Sequence, residues 1–270
     1  NMTLENLENK ILHGGQRLKR TNTKSTNQEP LITIITSVLN GEKHLEETIL
    51  SIINQTYKNI EYIIVDGGST DGTIDVIKKY EDHINYWSSE KDMGIYYGFN
   101  RGLTQTSGDM IGFVNSDDVL HEEAISILVK YYNEYPKIDF IFGSVKKHWG
   151  ILHGYKPWKI FFSWGFYTSH STGFFIKKKA AGIVGPYNTQ FKYSSDYDYF
   201  YRMIVKKKLK GMATKKNEVF GTFRRGGFSS TTKFIDHFME TIKIRLNNKQ
   251  NKFIVLIIFI LKYLKNIKKL

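Results

Sequence analysis

The residues best suited to chemistry close the segment DMIGFVNSDDVL. An apolar run from Met110 to Val114 stops on Asn115, Ser116, Asp117 and Asp118. Adjacent carboxylates repel each other, and a strand end adds a desolvation penalty. A divalent cation relieves both. Mg2+ or Mn2+ takes one or two carboxylates together with phosphate oxygens, so Asp117 and Asp118 read as metal ligands in a seat for a nucleotide phosphate. A turn, or a cap ahead of the helical segment HEEAISILVKYYNEY, is the alternative reading of the same pair. Two other apolar runs also end in polar clusters, one at Asn40-Gly41, the other at Asp66-Gly67-Gly68-Ser69.

The elements carrying these clusters are legible. LITIITSVLN (31–40), IEYIIVDGGS (60–69), INYWSSE (84–90) and DMIGFVNSDD (109–118) are short and apolar, the first a β-branched run, as buried strands are. Between them EKHLEETILSIINQ, DGTIDVIKKY and GIYYGFNRGLTQT (94–106) read as helices, the first from Leu45, Ile49, Ile52 and Ile53 at helical spacing. Such alternation predicts an α/β fold, a mostly parallel sheet flanked by helices. Ligands of these sheets bind beyond the carboxyl ends of the strands, and the repeat puts all three polar clusters on that edge.

Further along, DFIFGSVKK (139–147) reads as one strand. TGFFIKKKAAGIVG reads as a strand and a short helix, and SDYDYFYRMIVKKK (195–208) as a helix opening on a Ser or Asp cap. NEVFGTFRRGGFSS is a strand entering a basic, glycine-rich loop, in which Arg225 is free to close on a diphosphate. Residues 1–29 read as a polar arm.

The chain has 270 residues, a formal charge of +13 and no cysteine, so disulfides, thiolate metal sites and a cysteine nucleophile are excluded. The positive charge implies acidic partners. After Glu240 no acidic residue follows, and the end KFIVLIIFILKYLKNIKKL is lysine-rich around a short apolar run. That run is too short to span a bilayer. It suits an interfacial helix, giving a peripheral membrane contact through 249–270, or a helix packed on the domain. The basic residues are not interleaved with aromatics over a sheet, so nucleic acid is not an expected partner. No secretory signal pattern opens the sequence, which makes the inner face of the cytoplasmic membrane the expected location.

Three blocks together resemble the nucleotide-binding half of a bacterial family 2 glycosyltransferase. They are IITSVLNGEKHLEETILSIINQTYKNIEYIIVDGGSTDGT, SEKDMGIYYGFNRGL and TSGDMIGFVNSDD. The resemblance implies a GT-A, Rossmann-like fold with a nucleotide-sugar-binding half at 30–120 and an acceptor-binding half at 121–231. A helical, basic, amphipathic extension at 232–270 follows. It implies inverting transfer of a sugar from a nucleotide diphosphate, with uridine the default base, to an acceptor hydroxyl. The acceptor class is a glycan or polyprenyl-linked saccharide of bacterial polysaccharide, lipopolysaccharide or capsule.

The resemblance also assigns roles. Asn115, Ser116 and Asp117 stand where the family carries Asp-x-Asp, with Asn115 in place of the first acid. Asp66 is retained where relatives have Asp-Asp-Gly-Ser, Gly67 replacing the second carboxylate. Leu39 replaces a common aromatic and supplies an apolar wall beside Ser37 and Asn40. Lys91, Asp92 and Gly94 match a loop over the nucleotide, with Asn100 and Arg101 on the helix behind it and Arg101 toward the diphosphate. Asp196 matches the catalytic base, with Arg202 supporting and Asp198 as fallback. His170 matches a histidine that lines the donor sugar or fills a buried hydrogen bond. Two rival classes are a sugar nucleotidyltransferase and a non-catalytic nucleotide-binding protein. GEKHLEE after the first strand lacks the glycine-rich phosphate loop of the first rival.

Overall fold

The structure, a computed structural model, describes residues 11–18, 29–162, 171–224 and 233–266. His170, Arg225 and the rest of 163–170 and 225–232 lie outside the described residues.

Four strands make the parallel centre: β2 (Ile32–Val38), β3 (Ile60–Asp66), β4 (Tyr86–Ser89) and β5 (Met110–Phe113). They lie in the order β4-β3-β2-β5, all parallel. Side chains alternate along each strand and so divide between two faces. Ile32, Ile34, Tyr62 and Ile64 enter one apolar cluster with Leu45, Ile49 and Ile52 of helix α1 (Glu42–Ile53). Ile35, Ile63, Val65 and Phe113 enter the other with Phe99 of α3 (Ile95–Thr104). Helix α2 (Thr73–Lys79) buries Ile77 on the first face, as does α4 (Ala124–Glu134) through Ile125 and Leu128.

α3 is helical despite its glycines, and because of two of them. A Cβ on Gly98 would collide with Ser37 Oγ, and one on Gly102 with Ile35 Cγ2. The two glycines are four apart, so they share one face and let the helix backbone lie close against β2.

The sheet continues past residue 120. β10 (Phe174–Lys177) pairs antiparallel with both β5 and β7 (Phe140–Phe142), and β11 (Gly211–Ala213) follows β7. The donor and acceptor halves expected from the sequence therefore share one eight-stranded sheet. The reading of 139–147 as a single strand is corrected. The chain breaks at Gly143, and β8 (Ser144–Lys147) joins a second sheet of order β6-β12-β8-β9. Its other strands are β6 (Val119–Leu120), β9 (Gly150–Leu152) and β12 (Val219–Thr222). The Phe220 ring fills the space that a side chain at 143 would need.

The polar arm is also corrected in part. β1 (Leu12–Gly14) pairs antiparallel with β4 on the sheet edge, and Arg17 bonds Glu61, a carboxylate 2% exposed. Helix α5 (Pro157–Phe162) and α6 (Lys178–Val184) flank the second half. The helix predicted over 195–208 is α7 (Ser195–Tyr201), running into a π-turn at Arg202–Lys206.

The basic extension forms two helices, α8 (Phe234–Asn247) and α9 (Lys252–Asn266). They join through Phe238, Ile242, Val255 and Phe259. Its cations do not all face outward. Arg245 is 0% exposed, donates to the Phe161 carbonyl and Gln250, and stacks over Tyr197. Lys262 is also buried, and burial, with Arg245 nearby, lowers its pKa to about 8. Among the described residues no helix is long and apolar enough to cross a membrane.

Candidate active site

The three polar clusters meet on the carboxyl edge of the parallel strands. Asp66 ends β3 and is fully buried. Its Oδ2 accepts from the Gly68 and Ser69 backbone N–H groups at 2.9 and 3.0 Å and from Ser89 Oγ at 2.6 Å. Its Oδ1 accepts from Ser69 Oγ. Asp66 thus holds the loop between β3 and α2 against β4. Asn40, at φ 50°, ties this loop to the end of β2. Its Oδ1 accepts from Thr70 N at 2.9 Å, and its own N–H donates to Ser69 Oγ at 2.7 Å. Leu39 stands beside it, 56% exposed. Ser37 lies just inside, 8% exposed, against Gly98.

Asp92 leans over the space left by Gly67. A Cβ at 67 would come 3.0 Å from Asp92 Oδ1. Burial raises the Asp92 pKa, the Gly94 N–H at 2.9 Å and Arg101 oppose the shift, and Asp66 adds repulsion. Gly94 has φ 133°, a conformation that favours glycine. Lys91 is exposed beside it.

Arg101 does not face a diphosphate. Its guanidinium donates to the Glu90 carboxylate and carbonyl, the Asp66 carbonyl and Asp92 Oδ2. Asn100 is also internal, making a reciprocal pair with the Tyr187 backbone at 2.9 and 2.8 Å. Both assignments from the resemblance are corrected, since Arg101 braces the 90–94 loop from behind and Asn100 ties α3 to the Tyr187 segment.

At the end of β5 the acids divide by environment. Asp118 is 0% exposed and accepts from Thr172 Oγ1 at 2.7 Å, Asn115 Nδ2 at 3.1 Å and Arg224 N at 3.2 Å. Burial, with repulsion from Asp117, pushes its carboxyl up to about 7 despite these bonds. It locks the turn and does not fit the role of metal ligand. Asp117 is half-buried, and its pKa is raised chiefly by burial, with the nearby His44 and Arg224 opposing the shift. Asn115 Oδ1 is buried with no hydrogen-bond partner among the described residues. Ser116 sits next to Gly41. Among the described residues no group of three His, Cys, Asp or Glu side chains is arranged to hold an ion. One free carboxylate and one orphaned amide oxygen still suit Mg2+ or Mn2+, which take few protein ligands and complete their shell with phosphate oxygens and water.

Asp196 opens α7 on the far side of α3. Its Oδ1 accepts from Tyr96 Oη at 3.3 Å and from Tyr197 N at 2.8 Å. Burial lifts its carboxyl to about 6, against the pull of those two donors. Tyr96 stacks on Tyr187, and Tyr187 on Tyr199 at 4.3 Å, so an aromatic column joins the first turn of α3 to α7. Asp198 is elsewhere. It is buried, paired with Arg202 at 2.8 Å and bonded by Asn248 at 2.8 Å, which removes it as fallback base. Arg202 also donates to the Val184 and Pro186 carbonyls, and so fixes α7 without touching Asp196.

Sequence reading missed several participants. Tyr96 carries no motif. Glu240 of α8 accepts from Lys192 N at 2.8 Å and Tyr193 N at 2.9 Å, and His237 meets Ser194 Oγ at 3.1 Å. These contacts hold the segment leading into Asp196. The one signal for Glu240 was its place as the last acid before the basic tail. Arg224 bonds the Asp117 carbonyl, His44 and Glu47, anchoring the start of the basic loop to the acid turn.

An open α/β sheet with acids and an Asn-Ser-Asp turn on its carboxyl edge, and a further acid at the head of α7, is the arrangement of a GT-A-type glycosyltransferase fold. The family described as "Glycosyl transferase family 2" matches residues 33–200. The chain belongs to that family. Among curated relatives it is 38% identical over 106 residues to glycosyltransferase GlyA of Streptococcus pneumoniae, covering 38% of this chain and 15% of that one. It is 27% identical over 179 residues to a PGL/p-HBAD biosynthesis glycosyltransferase of Mycobacterium bovis, covering 63% and 68%. The chain thus spans a small part of the first relative and about two thirds of the second. Among solved structures, TarS 1-349 of Staphylococcus aureus superposes with TM-score 0.65 at 15% identity, over 87% of this chain and 72% of that one. A mannosyltransferase of Pyrobaculum calidifontis, in complex with GDP-Man and Mn2+, does so with TM-score 0.65 at 16% identity, over 92% and 74%.

Proposed function

We propose that this chain is an inverting glycosyltransferase that moves a sugar from a nucleotide diphosphate to an acceptor hydroxyl, with Asp196 as general base. The observation that carries this reading is the Asp196 carboxyl. It heads α7 with a pKa of about 6, raised chiefly by burial, and is suited to taking a proton near neutral pH. In the transfer, the acceptor oxygen forms a bond to the sugar anomeric carbon as the bond from that carbon to the β-phosphate oxygen breaks. The bonding pair leaves with the nucleoside diphosphate, and the acceptor proton goes to Asp196.

Leu39, Asn40, Asp92 and the Asp66 loop wall the base and ribose end of the donor cleft, with uridine the first base to test. TarS has been crystallised with UDP and with UDP-GlcNAc, which supports a UDP-sugar as the first probe. Asp117, with Asn115 beside it, would hold Mg2+ or Mn2+, which neutralises charge on the leaving diphosphate. A panel of nucleotide sugars assayed for nucleoside diphosphate release, with Mn2+ and with chelator, tests the class. Asp196→Asn is expected to lower transfer by about 10²-fold or more while leaving donor affinity nearly unchanged. Normal transfer by that variant would remove Asp196 as base.

The acceptor reading is a saccharide on a lipid carrier in bacterial surface-glycan assembly, with the enzyme peripheral on the inner face of the cytoplasmic membrane. The support is α9, where Phe253, Leu256, Ile257, Ile260, Leu261 and Leu264 are each at least 46% exposed, with Lys252 and Lys265 at its ends. Such a face suits the headgroup boundary of an anionic bilayer.

A further inference from the structure

The second sheet ends beside the acid turn. Thr222 pairs with Val119 of β6 and Lys146 of β8, so the next row holds Asp118, Phe223 and Lys147. Phe223 N bonds the Lys146 carbonyl, and Arg224 N bonds Asp118, which continues the ladder to this row. Strand side chains alternate, so Lys147 shares a face with Val145, and Phe223 with Gly221. That face packs on the turn Ser171–Gly173, where a Cβ at 221 would meet Thr172. Ser171 and Thr172 in turn bond Asn115 and Asp118. Lys147 therefore projects on the site side of the sheet, at the end nearest the acid turn.

Its chemistry there is unfinished. The ammonium lies 4.5 Å from the centre of the Phe223 ring. The side chain is half-buried, and no hydrogen bond or ion pair reaches it among the described residues. Burial lowers its pKa, with Asp118 opposing. A partly desolvated cation without an acceptor is costly unless an anion arrives. Among the described residues the arginines of this edge are committed, Arg101 to Glu90 and Asp92, Arg224 to Glu47.

We propose that Lys147 is a phosphate-contacting catalytic residue of this site, its ammonium donating to the diphosphate of the bound donor and of the departing nucleoside diphosphate. The inference rests on the nucleotide-sugar reading above. Charge grows on that leaving group as the glycosidic bond breaks, so a cation held ready in a partly dry position acts where charge develops.

The test is calorimetric titration of wild type, Lys147→Met, Lys147→Gln and Lys147→Arg with UDP, GDP and uridine, in Mn2+ and in chelator. Far-ultraviolet dichroism and melting establish that each variant is folded. The expected result is that the Met and Gln variants bind the preferred diphosphate about tenfold or more weakly, the loss of one charge-assisted hydrogen bond, with uridine affinity unchanged. The Arg variant is expected to recover most of the loss. Equal diphosphate affinity in wild type and a folded Met or Gln variant would overturn the proposal and leave the nucleotide-sugar reading standing. Failure of wild type to bind either diphosphate would overturn both.

Discussion

Asp196 sits where two opposing effects meet. Burial raises its pKa, and the Tyr96 hydroxyl and Tyr197 N–H favour the ionised form, leaving it at about 6. A general base works ionised, so kcat/KM is expected to fall with unit slope as pH drops below about 6, read from a pH–rate profile. Tyr96→Phe removes a donor to the carboxylate. The acid limb should then move to higher pH, by up to about one unit for a hydrogen bond of ordinary strength. At the other acid pair the two carboxylates should separate by experiment. Asp117→Asn is expected to abolish stimulation by Mn2+ in the nucleotide-release assay. Asp118→Ala instead leaves the Thr172 hydroxyl and Arg224 N–H without their acceptor. It should lower unfolding free energy by about 1–3 kcal/mol in urea titration, with the metal response of the folded enzyme kept. The place of Asn115 and Asp117 on the carboxyl edge was legible from residue type and position in the repeat, whereas Asp196 lies outside the repeat and was marked by the resemblance alone. Arg101, Asn100 and Asp198 were misread because polar type says nothing about which partner a side chain finds. All three spend their polar atoms inside the fold.

At the scale of elements, α3 is the piece that joins the carboxyl edge of the sheet to the Asp196 segment. Its near face is glycine, its first turn carries Tyr96, and its far end carries Arg101. An exposed helix glycine gains up to about 1 kcal/mol on becoming alanine. Gly98→Ala should reverse that sign, losing about 1–3 kcal/mol because the methyl meets Ser37. Denaturant unfolding decides between the two. The strands of the parallel centre were readable to within a few residues, since β-branched runs of that length have one use. The break at Gly143 was not. It depends on Phe220, which lies 77 positions away in the chain, and periodicity sees only neighbours. The same holds for β1, whose three residues gain strand identity only from β4.

At the scale of the molecule, charge and apolar surface segregate to the C-terminal helices, yet α8 reaches back to the Asp196 segment. Replacing Leu256, Ile260 and Leu264 by Asp should leave the melting temperature within a few degrees, since these side chains are exposed. It should abolish co-sedimentation with anionic vesicles while turnover on a water-soluble acceptor persists. Unchanged sedimentation would remove the membrane reading. The acid-free tail was visible in the sequence. The inward turn of Arg245 and Lys262 was not, because it follows from how α5, α7 and α9 surround them. The open flank of β5 is closed by β10, whose residues follow it by some sixty positions. During synthesis, a wholly apolar strand border must wait unpaired until that stretch has emerged. Nascent chains halted before residue 174 therefore carry this border without its partner strand.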